Sequence, residues 1–167
     1  MAEGIAIEPA PGIRVVWDDL AETRSALSAE EPSAPWRLEG ELGSSHTALK
    51  VLTASAGKGS LLLLAGARPD GADGHDAESP HAVLISGSDE LTPIEEALIS
   101  TQYSASGAIE RVGLELYAEG DDYPVRGAGD VRRASAADEG AFRREHAWLD
   151  FRLDGEVGAA ILDIVHT

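Results

Sequence analysis

Residues 142–166 read Phe-Arg-Arg-Glu-His-Ala-Trp-Leu-Asp-Phe-Arg-Leu-Asp-Gly-Glu-Val-Gly-Ala-Ala-Ile-Leu-Asp-Ile-Val-His. Ala147, Leu149, Phe151 and Leu153 recur at every second position, with Arg144, His146, Trp148, Asp150 and Arg152 between them. That period of two marks a strand with one apolar face. Asp154-Gly155 is a tight-turn pair, and the run from Val157 to His166 returns from it. Two such runs on either side of a two-residue turn form an antiparallel hairpin, the clearest in the chain.

The same period extends toward the N-terminus. Trp36, Leu38, Gly40 and Leu42 share one face against Arg37, Glu39 and Glu41. His46–Thr53 is a second strand, Ser60–Ala67 a third and His81–Ser86 a fourth. The third is apolar on both faces, which places it centrally. Thr92-Pro93-Ile94-Glu95 combines an N-cap residue, Pro at the first helical position and a capping-box Glu, and predicts a short helical turn. Ile99–Tyr103, the Ser104–Gly107 turn and Ala108–Tyr117 form a hairpin, and Tyr123–Arg133 follows the turn at Glu119–Asp122. In that last strand Gly127 and Gly129 suggest a bulge or bend. Residues 18–35 read as a short helix or linker, with Leu20, Thr23 and Leu27 at helical spacing after Asp18-Asp19. Residues 69–80, rich in Asp and Gly, read as a flexible acidic loop. Eight or nine strands without a β-α-β rhythm predict one mainly β domain over residues 1–167. Its architecture is an antiparallel barrel, or alternatively a two-sheet sandwich, with one or two short helices. Edge strands of such a sheet could also be closed by a homodimer.

The chain has 167 residues, with Lys+Arg 13 against Asp+Glu 30 and a formal charge of −17. Such a field repels nucleic-acid backbones and anionic membranes, so neither is expected as a partner. Cys is absent, which excludes disulfides, thiolate metal sites and a cysteine nucleophile. The first residues carry no basic n-region ahead of an apolar block, and no apolar run approaches the roughly 20 residues of a membrane-spanning helix. These features predict a cytoplasmic protein. Arg and Ala-Gly usage suggests a bacterial source. Phosphate-binding Gly loops, His-Glu-x-x-His and Gly-x-Ser-x-Gly are all missing, so no cofactor is expected. The cluster Asp70, Asp73, His75, Asp76, Glu78 and His81 lacks the spacing of a calcium loop and reads as hydrated, leaving no predicted metal site.

What remains is acid-base chemistry, or binding without chemistry. Glu145 falls on the apolar face of its strand, where burial would raise a carboxyl's pKa and make it a proton donor near neutrality; its place at the strand end equally allows exposure to water. His146, with Asp150 and Arg144 on the opposite face, could be oriented for proton transfer or belong to a solvated ladder. Glu110 and Asp163 interrupt apolar alternations as well. Glu110 follows a turn and would sit at a mouth, whereas Asp163 either faces the core or points outward. Trp36, Trp148, Tyr103, Tyr117 and Tyr123 could line a pocket or pack as ordinary core.

Arg-Glu-His-Ala-Trp at 144–148 resembles the Arg-Asp-His-x-Trp signature of bacterial lipocalin-like proteins of the carotenoid hydratase group. Residues 153–158 and 113–116 are similar to members of that group too. Here Glu145 replaces the signature Asp, Leu149 stands where Gly is usual, and one barrel replaces two. The resemblance implies a lipocalin-like barrel around an apolar polyketide or terpenoid ligand. Glu145 and His146 would take the place of the polar pair that acts on an alkene. The expected function is therefore binding of an apolar small molecule with cofactor-free isomerisation, hydration or cyclisation. In that reading Glu145 donates a proton, His146 orients it, and Trp36, Tyr103, Glu110, Tyr123, Trp148 and Asp163 contact the ligand. The alternative is a non-catalytic carrier or an acidic partner-binding domain.

Overall fold

A computed structural model describes residues 4–29, 33–42, 46–70, 80–120 and 123–167. Three strands and a helix come first: β1 (Ile5–Ala10), β2 (Ile13–Trp17), α1 (Leu20–Leu27) and β3 (Arg37–Glu39). Eight strands follow: β4 (His46–Ala56), β5 (Ser60–Pro69), β6 (His81–Ile85), β7 (Leu91–Tyr103), β8 (Ile109–Ala118), β9 (Val125–Glu139), β10 (Phe142–Leu153) and β11 (Glu156–His166). These eight close into an antiparallel barrel in the order β10-β11-β4-β5-β6-β7-β8-β9, and β1-β2-β3 form a separate small sheet. The sandwich alternative is thereby excluded. Among the described residues there is one helix, and it is too short to cross a membrane.

Closure determines two layers of core. Alternate residues of every barrel strand point inward, and at eight strands the interior is just wide enough for side chains to fill. Leu52, Leu62, Leu64, Leu116, Leu149 and Leu162 are among the buried residues of that interior. Gly127 and Gly129 belong to the same packing. A Cβ on Gly127 would lie 3.0 Å from Phe151 Cζ, and one on Gly129 would lie 3.0 Å from Leu149 Cδ2. Glycine on β9 thus leaves room for the bulky inward residues of β10, and the irregularity in this pair falls further along, at Trp148/Leu149.

The second layer covers the outside of β4, β5 and β11. The small sheet and α1 bury Val15, Trp17, Leu20 and Leu27 against Leu49, Val51, Leu63 and Ile161. This explains why Ser60–Ala67 is apolar on both faces: one faces the barrel interior and the other the cover. Helix α1 begins at Asp19, whose carboxylate accepts from Ala21 N at 2.8 Å and Glu22 N at 3.2 Å, and it buries Leu20, Thr23 and Leu27 as the spacing predicts. Arg24 fastens the helix to the barrel by donating to Gly59 O, Ser86 O and Asp89 Oδ1.

Other sequence expectations change. Thr92–Glu95 lies within β7 and is not helical; Thr92 and Pro93 pair with Leu84 and Val83 of β6. The local helix-start signal yields to tertiary pairing, and Pro is tolerated in this position on a strand. The strand expected over Trp36–Leu42 contracts to Arg37–Glu39, and β9 runs on to Glu139. The β1-β2 hairpin was not expected. Of the 69–80 loop, residues 71–79 lie outside the described residues.

The cover is pinned by an indole. Trp17 Nε1 donates to Thr53 Oγ1 at 2.9 Å, with both residues fully buried. Trp17→Phe keeps most of the apolar packing but strands the Thr53 hydroxyl. It should cost about 1–3 kcal/mol, read as a lower urea midpoint at unchanged slope.

Candidate functional site

Adjacent residues of a strand face opposite sides, and on β10 this separates two polar groupings. Glu145 shares the inward face with Ala147, Leu149 and Phe151. Its side chain is 12% exposed and accepts a hydrogen bond from His166 Nε2 at 2.8 Å. Register puts Glu145 opposite Ile164 and Ile164 opposite Lys50, so all three lie in one row near that end of the barrel. Lys50, only 8% exposed, donates from Nζ to Thr101 Oγ1 at 3.2 Å. Beside Glu145 a crevice of about 180 Å³ separates Gly107–Ile109 from Ala134–Ala136, with Arg143 also lining it. One mouth of the barrel thus collects a carboxylate, an imidazole and an ammonium group.

The outward grouping centres on Asp163. Although it points away from the barrel axis, the cover leaves it 0% exposed. Its Oδ2 accepts from Trp36 Nε1 at 2.8 Å, while its Oδ1 accepts from His146 Nδ1 at 2.6 Å and from an Arg144 Nη at 3.3 Å. Arg144 also lies 5.1 Å from the centroid of the Trp36 ring. A buried carboxylate is tolerable because these donors compensate its lost hydration. The arrangement orients His146 and ties the chain before β3 to the barrel wall.

Glu145 and His146 are therefore not brought together. The imidazole beside Glu145 belongs to His166, and the carboxylate beside His146 belongs to Asp163. The other expected ligand contacts are dispersed as well. Trp36 lies in the cover layer, and Trp148 is outside the barrel with the Arg132 guanidinium 4.8 Å from its ring centroid. Trp148 Nε1 is buried without a hydrogen-bond partner among the described residues. Tyr103 and Tyr123 are 47% and 86% exposed. Glu110 is exposed because the β7-β8 register passes from Gln102↔Arg111 to Tyr103↔Ile109, leaving Glu110 as the extra residue of a bulge. Simple alternation could not anticipate that shift. Among the described residues no His, Asp and Glu cluster could hold a metal ion.

The opposite mouth is different in character. There a cup of about 500 Å³ has Ala56, Leu84, Val125 and Leu153 at its apolar floor, with Thr92 and Glu156 among its polar rim residues. On the surface of the small sheet, Arg37 bonds to Asp18 and Glu39 and holds both carboxyls below the usual carboxylate range.

No protein-family model and no curated protein matches the sequence. Among solved structures, the fold is similar to that of an AttH-type protein from Nitrosomonas europaea. The TM-score is 0.56 and the identity 17%, over 77% of this chain and 42% of that protein. The chain spans less than half the length of that relative, and the likeness is one of fold. Barrel topology and this neighbour together define a lipocalin-like architecture.

Removing the Asp163 carboxylate would leave three donors without their acceptor. Asp163→Ala should destabilise by about 2–4 kcal/mol, below the extreme for a buried pair because Arg144 and His146 keep some solvent contact. Asp163→Asn should cost clearly less, and urea denaturation of both variants checks the order.

Proposed function

We propose that this barrel binds a small apolar molecule, of polyketide or terpenoid type, in the cup at the end formed by Ala56, Leu84, Val125 and Leu153. The observation that carries the reading is this apolar floor, open to solvent at the mouth of the barrel. A concave apolar surface with a few polar groups at its rim is the usual form of a small-molecule site. The lipocalin-like fold supports the same reading, as does the likeness of residues 144–148 to the carotenoid hydratase group.

A neutral terpenoid ketone such as β-ionone is a suitable probe. Thr92→Trp, at an exposed rim position, should weaken its binding at least tenfold by filling the cup, as followed by amide chemical shifts. Leu84→Arg should do the same by placing a charge on the floor. Binding unaffected by both substitutions, or shifts confined to another surface, would remove the cup from the proposal.

A second reading is catalytic, and the Glu145–His166 pair favours it. A carboxyl held on an apolar face and hydrogen-bonded to an imidazole can exchange a proton with a group in the adjoining crevice. From Glu145 to Leu153 the strand runs roughly 26 Å at about 3.3 Å per residue, so this chemistry would not reach a ligand seated in the cup. In that reading the imidazole partner of Glu145 is His166, while His146 stays with Asp163 on the other face of the strand. Glu145→Gln should lower turnover of an acyclic terpenoid by about a hundredfold with binding nearly unchanged. Equal turnover in the variant would leave a carrier role.

A further inference from the structure

One recess belongs to neither mouth. It is a groove of about 680 Å³ on the outside of the barrel wall, crossing β7, β8, β9 and β10. Register explains its form. Ser100 pairs with Gly113, Gly113 with Ala128 and Ala128 with Arg152, so one cross-strand row offers almost no side-chain height until it reaches Arg152. The next row, Leu98, Glu115 and Arg126, stands taller and forms one bank. Pro80 lines the groove as well, as does Gly155 of the β10-β11 turn. Three interstrand steps of about 4.8 Å make the floor roughly 14 Å long.

The chemistry changes along this length. Leu98 is 47% exposed and offers an apolar surface at the β7 end, where the uncharged floor begins. Arg126 and Arg152 lie at the far side. Arg126 meets Glu115 only loosely, at 3.6 Å with both side chains solvent-exposed. Arg152 has no ion pair among the described residues, in a chain of formal charge −17. A guanidinium left without a carboxylate in so acidic a protein, beside an apolar trench, is complementary to an anion that carries an apolar chain.

We propose that this groove binds an amphipathic organic anion. An unbranched apolar chain would lie over Ser100, Gly113 and Ala128 against Leu98, with its carboxylate held by Arg152 and Arg126. The site is distinct from the cup and does not depend on it. The cup would take a neutral apolar molecule at the barrel mouth, and the groove takes a charged one on the wall. A guanidinium-carboxylate contact is directional, so the anion should be bound in one orientation, and raised salt should weaken it.

Decanoate and decanol, titrated calorimetrically into the full chain, test the charge. Decanoate should bind at least about tenfold more tightly than decanol, in line with a charge-assisted hydrogen bond. Arg152→Gln should abolish most of that preference, and Ser100→Leu, at an exposed floor position, should weaken both probes. Thr92→Trp, which fills the cup, should leave decanoate binding unchanged. Both Arg152 and Ser100 are exposed, so the variants are expected to fold, and circular dichroism verifies it. Equal affinity for the two probes, no binding of decanoate, or loss of decanoate binding in Thr92→Trp with none in Arg152→Gln would overturn the proposal. The last result would place the fatty chain in the cup and leave the cup reading standing.

Discussion

Asp154 and Gly155 adopt φ values of 50° and 83°, both in the left-handed region, and this two-residue turn sets the register of β10 against β11. Turns with positive φ at both central positions match the twist of the strands they join and permit little slippage. From Leu153↔Glu156 the pairing runs without a shift to Arg143↔His166. Moving that register by one residue would exchange the faces of β11. Asp163 would enter the barrel, and Leu162 and Ile164 would turn toward the cover. Since β11 also pairs with β4, the barrel closes through the same register.

That constraint also separates what is readable in the residues from what is not. Period-two patterning suffices for most of the barrel strands, because a half-buried strand must alternate. The hairpin at 142–166 was legible nearly to the residue. His146 opposite Asp163 was legible in principle too, by counting outward from the Asp154-Gly155 turn, and so was His166 on the same face as Ile164. Three things lay beyond counting. Two chain-distant elements cover one side of the barrel, so "outward" means buried for Asp163 and half-buried for Trp36. A bulge removes Glu110 from the alternation its neighbours suggest. Thr92–Glu95 carries a sound local helix signal that pairing with β6 overrides. For Asp163 the deciding partner is remote in sequence, whereas Glu110 and Thr92–Glu95 are decided by how they pair with a neighbouring strand, which neither period nor capping signals record.

The distribution of polar groups follows from the same geometry. On the covered side, polar residues must be few and fully partnered, and Thr53 and Asp163 each meet an indole N–H from the cover. On the uncovered side, β7 to β10 carry exposed charges in loose cross-strand pairs, including Arg111–Asp130 at 3.8 Å and Arg132–Asp150 at 3.6 Å. Such pairs add little stability in water. Their presence on the outer wall suits contact with solvent or a polar ligand, and it contrasts with the apolar band that a lipid-facing barrel presents.

Placing β11 between β4 and β10 has a kinetic consequence. Ala54 meets Ala160 only after the intervening chain has been traversed, and Trp36 reaches Asp163 across 127 residues. Contacts so distant in sequence carry a loop-closure cost before they return any stability, which slows folding. Until β11 arrives, the β4-β5 hairpin, apolar on both faces, exposes the edge of β4 as an unpaired strand. Such a species is prone to self-association. The slow step in reaching the native state should be the insertion of this last strand, and crowding of unfinished chains is where losses would arise.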